Sequence, residues 1–234
     1  MIVTNDALKA TAAKSDFGGY GAAQRVSLST VAGKVQVSYT NPTYMAAAYR
    51  MAGDLAGITA KLGSALGGAT PYGSENGISA EDLGGYHYMF GMEYFDEPSV
   101  LAEYDSQAAA IAAVEKGLAA ANSGITKVFR IDIPGKDESI FGVSMKGAKG
   151  SGDMQDDAFL MTQIDFKEIK SAAHLPYEIL VSGGKAYALY ARFRIAINFP
   201  DLPMMGMNSF MAILDCPTAI EDALTHAAGG PKPD

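Results

Sequence analysis

Glu178-Ile-Leu-Val-Ser-Gly-Gly-Lys-Ala-Tyr-Ala-Leu-Tyr-Ala-Arg-Phe-Arg-Ile-Ala-Ile-Asn198 reads as two strands joined by a glycine turn. Tyr187, Leu189, Ala191, Phe193, Ile195 and Ile197 alternate with Ala188, Tyr190, Arg192, Arg194 and Asn198, the period of two expected of a half-buried strand. Gly183-Gly184 supplies the positive φ of a tight hairpin. The stretch therefore predicts an antiparallel sheet with an apolar face and a face carrying Arg192 and Arg194.

Outward from this hairpin, Lys127–Ile133, Ser139–Met145, Ala158–Asp165 and Ser209–Leu214 have strand character, and Pro134-Gly135 marks a turn. A short helical turn over Phe166–Ala173 and a last helix from Pro217 to His226, led by Asp215 or Cys216 and stopped by Gly229-Gly230, complete this half. The expected fold class is α+β, an antiparallel sheet with helices packed on one face, of ferredoxin-like character in the C-terminal half.

Three stretches follow from the texture of the chain: an extended N-terminal arm over 1–34, a helix-rich Gly/Ala region over 35–124 and the sheet region over 125–230 with the C-terminal helix, the last two forming either separate units or one continuous domain. The arm holds one short strand near Arg25–Val31. Val35–Thr40 is a strand, Asn41-Pro42 opens a helix that runs to Leu66, and Gly67-Gly68 ends it. Its interior Gly53, Gly57 and Gly63 suit close packing of another backbone. Residues 67–85 form a loop longer than the usual ceiling of about 15 residues, which implies a function or an anchor. Tyr86–Phe95 alternates as a strand, and Ser99 or Ser106 caps a helix through Ala121.

The chain has 234 residues, 48% apolar and only 19% charged, against roughly 25% charged in an average domain. Low charge calls for surface hidden in an interface. A net charge of −8 argues against general nucleic-acid binding. Cys216 is the only cysteine, which excludes an intrachain disulfide and a Cys-based zinc site. Met1–Phe17 lacks a signal-type apolar core and no window offers 18 apolar residues, so an intracellular protein, cytoplasmic or organellar, is expected.

No reactive motif stands out. His87, His174 and His226 lack metal-ligand spacing, and no cofactor is expected. Gly-x-Ser-x-Gly is absent, and Gly147–Gly152 matches neither phosphate-loop fingerprint. Asp153, Asp156 and Asp157 lack calcium-loop spacing. Cys216 reads as a buried, inert thiol.

Two function classes remain. The first is a non-catalytic interaction or scaffold protein that assembles with itself or with protein partners. Its binding residues would be Arg192, Arg194, Tyr190, Tyr86, Tyr88 and the methionines Met204, Met205 and Met207, because thioethers fill irregular contact surfaces. The second is a small-ligand binder or enzyme with a pocket lined by Tyr86, His87, Tyr88, Tyr190 and Arg192. There His87 would be the acid/base, and Arg192 or Arg194 the anion anchor. Val128-Phe-Arg-Ile-Asp-Ile-Pro-Gly135 resembles the opening strand of the small C-terminal domain of phycobilisome rod linkers over about eight residues. That family's later pattern does not continue in this chain. The resemblance illustrates the linker reading and assigns no residue a role.

Overall fold

The computed structural model describes residues 1–67, 70–121, 124–147 and 154–231. The elements run β1 (Ile2–Val3), α1 (Asp6–Ala13), a 3-10 turn (Gly18–Gly21), β2 (Gln24–Val31), β3 (Lys34–Tyr39), α2 (Pro42–Ala48), α3 (Ala56–Leu66), α4 (Ala80–Gly84) and β4 (Ser99–Glu103). They continue with α5 (Gln107–Ala120), β5 (Ile125–Asp132), β6 (Glu138–Met145), α6 (Asp157–Ile164), a 3-10 turn (Ala172–His174), β7 (Tyr177–Ser182) and β8 (Lys185–Ala188). Last come α7 (Ala191–Asn198), a 3-10 turn (Phe210–Ile213) and α8 (Cys216–Ala228). The fold is α+β with two antiparallel sheets, a three-stranded β1-β2-β3 and a five-stranded β4-β8-β7-β6-β5.

Local chemistry sets the helix starts. Asn5 accepts from the Leu8 amide, Ser106 from Ala109 and Asp156 from Ala158 and Phe159, each relieving an orphan donor of a first turn. Asn41 caps α2 with Pro42 behind it, as its sequence implies. Gly229, at φ 79°, ends α8.

In the larger sheet, β5 to β8 lie side by side in chain order and β4 closes the edge beyond β8. Phe141, Val143, Tyr177, Ile179, Val181 and Ala186 meet α5, α6 and α8 on one face. Helices therefore do pack there, but the opposite face is not polar. Ile140 and Leu180 lie against Tyr20, Met45 and Tyr49 from the N-terminal half, Phe95 from the segment before β4 and Phe193 from α7. The central strands β6 and β7 are buried on both faces for this reason. At the α5–α8 crossing, a Cβ at Gly117 would stand 2.0 Å from the carbonyl oxygen of Ala227, so only glycine fits.

Several elements differ from their sequence pattern. Ala191–Asn198 is a helix and not the second half of a long strand; β8 stops at Ala188. Six of the eight residues of α7 are buried, so it carries no polar stripe, and an apolar run interrupted by two arginines mimics strand alternation. Ala158–Asp165 is covered by α6, because Asp156 caps it. Ser209–Leu214 holds a 3-10 turn, and Tyr86–Phe95 contains no strand. The helix expected over 42–66 is broken into α2 and α3, with Arg50 and Leu55 at φ 46° and 54°. Ser99–Glu103 is strand β4, and Ser106 is the cap of α5. Among the described residues, Gly57 and Gly63 face open space and Gly53 meets only Thr11, so no backbone packs against them there. The first 34 residues hold β1, α1 and β2 rather than a bare arm. The 67–85 loop carries α4, and its Tyr72 hydroxyl donates to the Lys170 carbonyl. The glycine-rich stretch 148–152 and Asp153 lie outside the described residues, as does the Asn122-Ser123 pair after α5.

Candidate functional site

The helical state of 191–198 separates the two arginines. Two residues apart on a strand, they would share a face; on a helix they stand about 200° apart. Arg192 turns outward and Arg194 inward, and they do different work.

Arg194 is 1% exposed. Its Nε donates to Glu178 Oε2 at 2.9 Å, and its Nη2 donates to the carbonyls of His174 (2.8 Å) and Pro176. The guanidinium lies over the Tyr177 ring, 4.5 Å from the centroid. Glu178 Oε1 pairs with Arg25 of β2, which is equally buried. Two guanidinium groups thus share one carboxylate at the junction of β2, β7 and α7. His174 lies against this array, its Nε2 3.1 Å from the Tyr177 hydroxyl. Burial first, then Arg194 and Arg25, hold its pKa well below the ordinary imidazole value. Burial and the Arg194 charge also pull Arg25 down to about 10. None of these charged groups lines either cavity described below. Arg194 is therefore a buried cation paired with Glu178, outside both cavities.

Arg192 is paired outward, its Nε donating to Glu93 Oε2 at 3.2 Å. Glu93 belongs to the irregular segment Tyr86–Phe95, which runs over α7: Tyr86 meets Phe193 edge-on with ring centroids 6.3 Å apart. The same segment reaches the loop between α7 and α8, where Tyr88 stacks on Phe210 with centroids 4.1 Å apart and its hydroxyl meets Met204. That loop folds back on itself, the amides of Phe210 and Met211 donating to the carbonyls of Pro203 and Met204. Gly206 and Asn208, at φ 102° and 56°, form the bend.

The bend lifts apolar side chains into solvent. Phe90 is 101% exposed, Met207 92% and Met205 79%, with Met89, Met204, Met211 and Leu214 also exposed. Two adjoining loops thus present a methionine and aromatic surface, held from behind by α7. The structure gathers Tyr86, Tyr88, Arg192, Met204, Met205 and Met207 into this neighbourhood, with Tyr190 beside Arg192 at 5.9 Å. It separates Arg194 from them. Phe90 and Leu214 also belong to the surface, and the buried Phe210 supports it; the adjacency of the two loops depends on a contact across more than 100 residues, which no local pattern announces.

His87 sits on the same segment, its Nδ1 2.7 Å from the Met89 carbonyl and its ring 4.6 Å from that of Tyr94. It does not meet His174 or His226, which lies on α8. Among the described residues no group of three or more His, Cys, Asp or Glu is arranged to hold a metal ion. Cys216 is buried, and burial pushes its thiol up to about 11.

Two cavities open elsewhere. One, of about 350 Å³, lies between Ile164–Ser171 and Asn198–Leu202 and is lined by Phe199, Leu202, Ile164 and the buried Asp165. The other, of about 480 Å³, is polar; Glu138 lines it, with one oxygen accepting the Gly19 amide at 2.6 Å and the other 3.1 Å from Lys136 Nζ. Neither contains His87 or Arg192.

No protein-family model, no curated protein and no solved structure matches this chain. Among the described residues no helix is long and apolar enough to cross a membrane.

Proposed function

We propose that this chain is a non-catalytic interaction protein of scaffold type, and that the two-loop methionine and aromatic surface is where a protein partner docks. The observation that carries this reading is the exposure of Phe90, Met205 and Met207 beside Met89, Met204, Met211 and Leu214 on adjoining loops. An isolated exposed apolar residue is ordinary, whereas a cluster of this kind marks an interaction site. Methionine is suited to such a role because its unbranched thioether adapts to the partner's shape. Beneath the loops, the Arg192–Glu93 pair and the Tyr86–Phe193 and Tyr88–Phe210 contacts hold the surface in place.

The test is affinity capture of the tagged chain from its native cell beside a Phe90→Ser/Met205→Ser/Met207→Ser variant. A defined partner retained by the wild type and lost from an equally stable variant supports the reading. Equal recovery from both contradicts it.

A second reading, a small-ligand binder, draws support from the cavity beside Phe199 and Asp165, whose size falls in the usual ligand range. The acid/base role for His87 and the anion-anchor role for Arg192 find no support there, since neither residue lines it. Native mass spectrometry of the purified chain tests this reading through a bound compound. The chain order strand, helix, strand, strand, helix, strand from β4 to β7 favours a ferredoxin-like kinship, and the sheet order, with β4 at the edge beside β8 and β5 to β8 in a meander, counts against it.

A further inference from the structure

The three-stranded sheet is turned the wrong way round for a hairpin that simply covers a core. The register Leu28↔Val37 and Thr30↔Val35 places Leu28, Val35 and Val37 on one face. The β1–β2 pairing Val3↔Gln24 and Ile2↔Arg25 adds Val3, and Met1 by the same alternation, to that face. All five are exposed, Met1 69%, Val35 67%, Leu28 61%, Val37 50% and Val3 37%, whereas Gln24 and Val26 of the same face are covered by the chain itself.

The opposite face is fastened inward by polar groups. Ser27 Oγ is 2.8 Å from Ser38 Oγ, and Ser38 donates to the Lys170 carbonyl at 2.9 Å. The Gln36 amide spans the Glu168 carbonyl (3.0 Å) and the Lys170 amide (3.1 Å), while Arg25 reaches Glu178. These bonds fix which face looks out. A slip of one residue would bury the apolar set and break each of them. At the sheet's rim, β3 is an edge strand with a single charge, Lys34.

We infer that the outer face of the three-stranded sheet joins two copies of this chain about a twofold axis. Charge favours a second copy as the occupant. The chain carries −8, so most approaches of two copies are repulsive, yet no Asp or Glu occurs between Asp16 and Asp54. An uncharged apolar face can meet a second copy of itself, as an isologous contact requires. Three strands at about 4.8 Å spacing and five residues at about 3.4 Å give a footprint of roughly 17 by 14 Å. That is well below the ~800 Å² per partner of a standard interface, so the dimer is reversible and its population follows concentration.

The inference rests on the assembly reading above, yet the two fail separately, because their surfaces carry different residues. Sedimentation velocity from low to high micromolar concentration is expected to show a monomer–dimer equilibrium for the wild type. Leu28→Lys/Val35→Lys is expected to raise the dissociation constant at least about tenfold. Phe90→Ser/Met207→Ser is expected to leave it unchanged. Should the lysine variant fail to fold, Val35→Cys treated with a short bis-maleimide is expected to give a covalent dimer, the buried Cys216 giving none in the wild type. A wild type that stays monomeric throughout overturns the inference. So does a dimer insensitive to Leu28→Lys/Val35→Lys, or a Val35→Cys chain that does not cross-link. Loss of the dimer in Phe90→Ser/Met207→Ser alone would also overturn it and move self-association to the methionine surface.

Discussion

Glu178→Gln is the sharpest single perturbation of this fold. The side chain keeps its size and loses its charge, leaving the guanidinium groups of Arg25 and Arg194 buried without a counter-charge, at 4% and 1% exposure. Breaking a buried ion pair by removing one partner costs about 3–5 kcal/mol. Such a loss is a large part of the 5–15 kcal/mol that stabilises a typical domain. For a chain of this size each kcal/mol moves Tm by roughly 2–4 °C, so a fall of about 6–20 °C is expected. The companion variant Arg25→Met/Glu178→Met/Arg194→Met removes every charge of the array and packs apolar volume in its place. It is expected to be far more stable than Glu178→Gln and close to the wild type, because uncompensated charge, more than the loss of attraction, is the dominant cost. Urea melts followed by circular dichroism measure both variants. A Glu178→Gln cost under about 1 kcal/mol, or a triple variant less stable than the single one, would refute the reasoning.

Four further outcomes are expected. His174 is held below its unfolded value of 6.5, so the unfolded chain takes up a proton first and stability falls as pH drops below about 6.5, by ~1.4 kcal/mol per unit. Burial raises Asp157 from 3.8 to about 6, which works in the opposite sense: its native form keeps the proton, and stability falls by about 3 kcal/mol as pH rises through that window. The two slopes offset one another between about pH 4 and 6; Asp157→Asn removes one, is expected to stabilise the neutral protein by up to about 3 kcal/mol, and leaves a steep acid decline in urea melts across pH. Phe193→Ala, at 1% exposure against Tyr86 and Phe95, is expected to cost about 3–5 kcal/mol by denaturant melt; a harmless substitution would contradict the placement of α7 in the core. Cys216 is expected to react with a thiol reagent only as fast as the chain unfolds, and rapid labelling of the native protein would contradict its burial.

Where one periodicity dominated, the fold could be read from the residues. Val35–Thr40, Ser139–Met145 and the Glu178–Ser182/Lys185–Ala188 hairpin are legible because short apolar runs end in turn residues, α5 because Ser106 caps it, and α8 because Pro217 opens it and Gly229 ends it. The run after Tyr190 was not legible. A helix buried on nearly all sides shows no 3.6-residue stripe, and its arginines stand two apart as they would on a strand. The same difference hides the burial of Arg194, whose counter-ion Glu178 is 16 residues away and whose neighbour Arg25, 169 residues away, lies on the other sheet. The methionine cluster was visible in composition, but its pairing with Phe90 and Tyr88 depends on tertiary contact.

The central claim is that the surface around Met207 is held by a protein partner. A photo-cross-linking amino acid placed at Met207 in the native cell tests it most directly, with Glu115 on α5 as the control position. The account predicts a discrete adduct of higher mass from position 207 and none from position 115. No adduct from 207, or the same adducts from both positions, would contradict it.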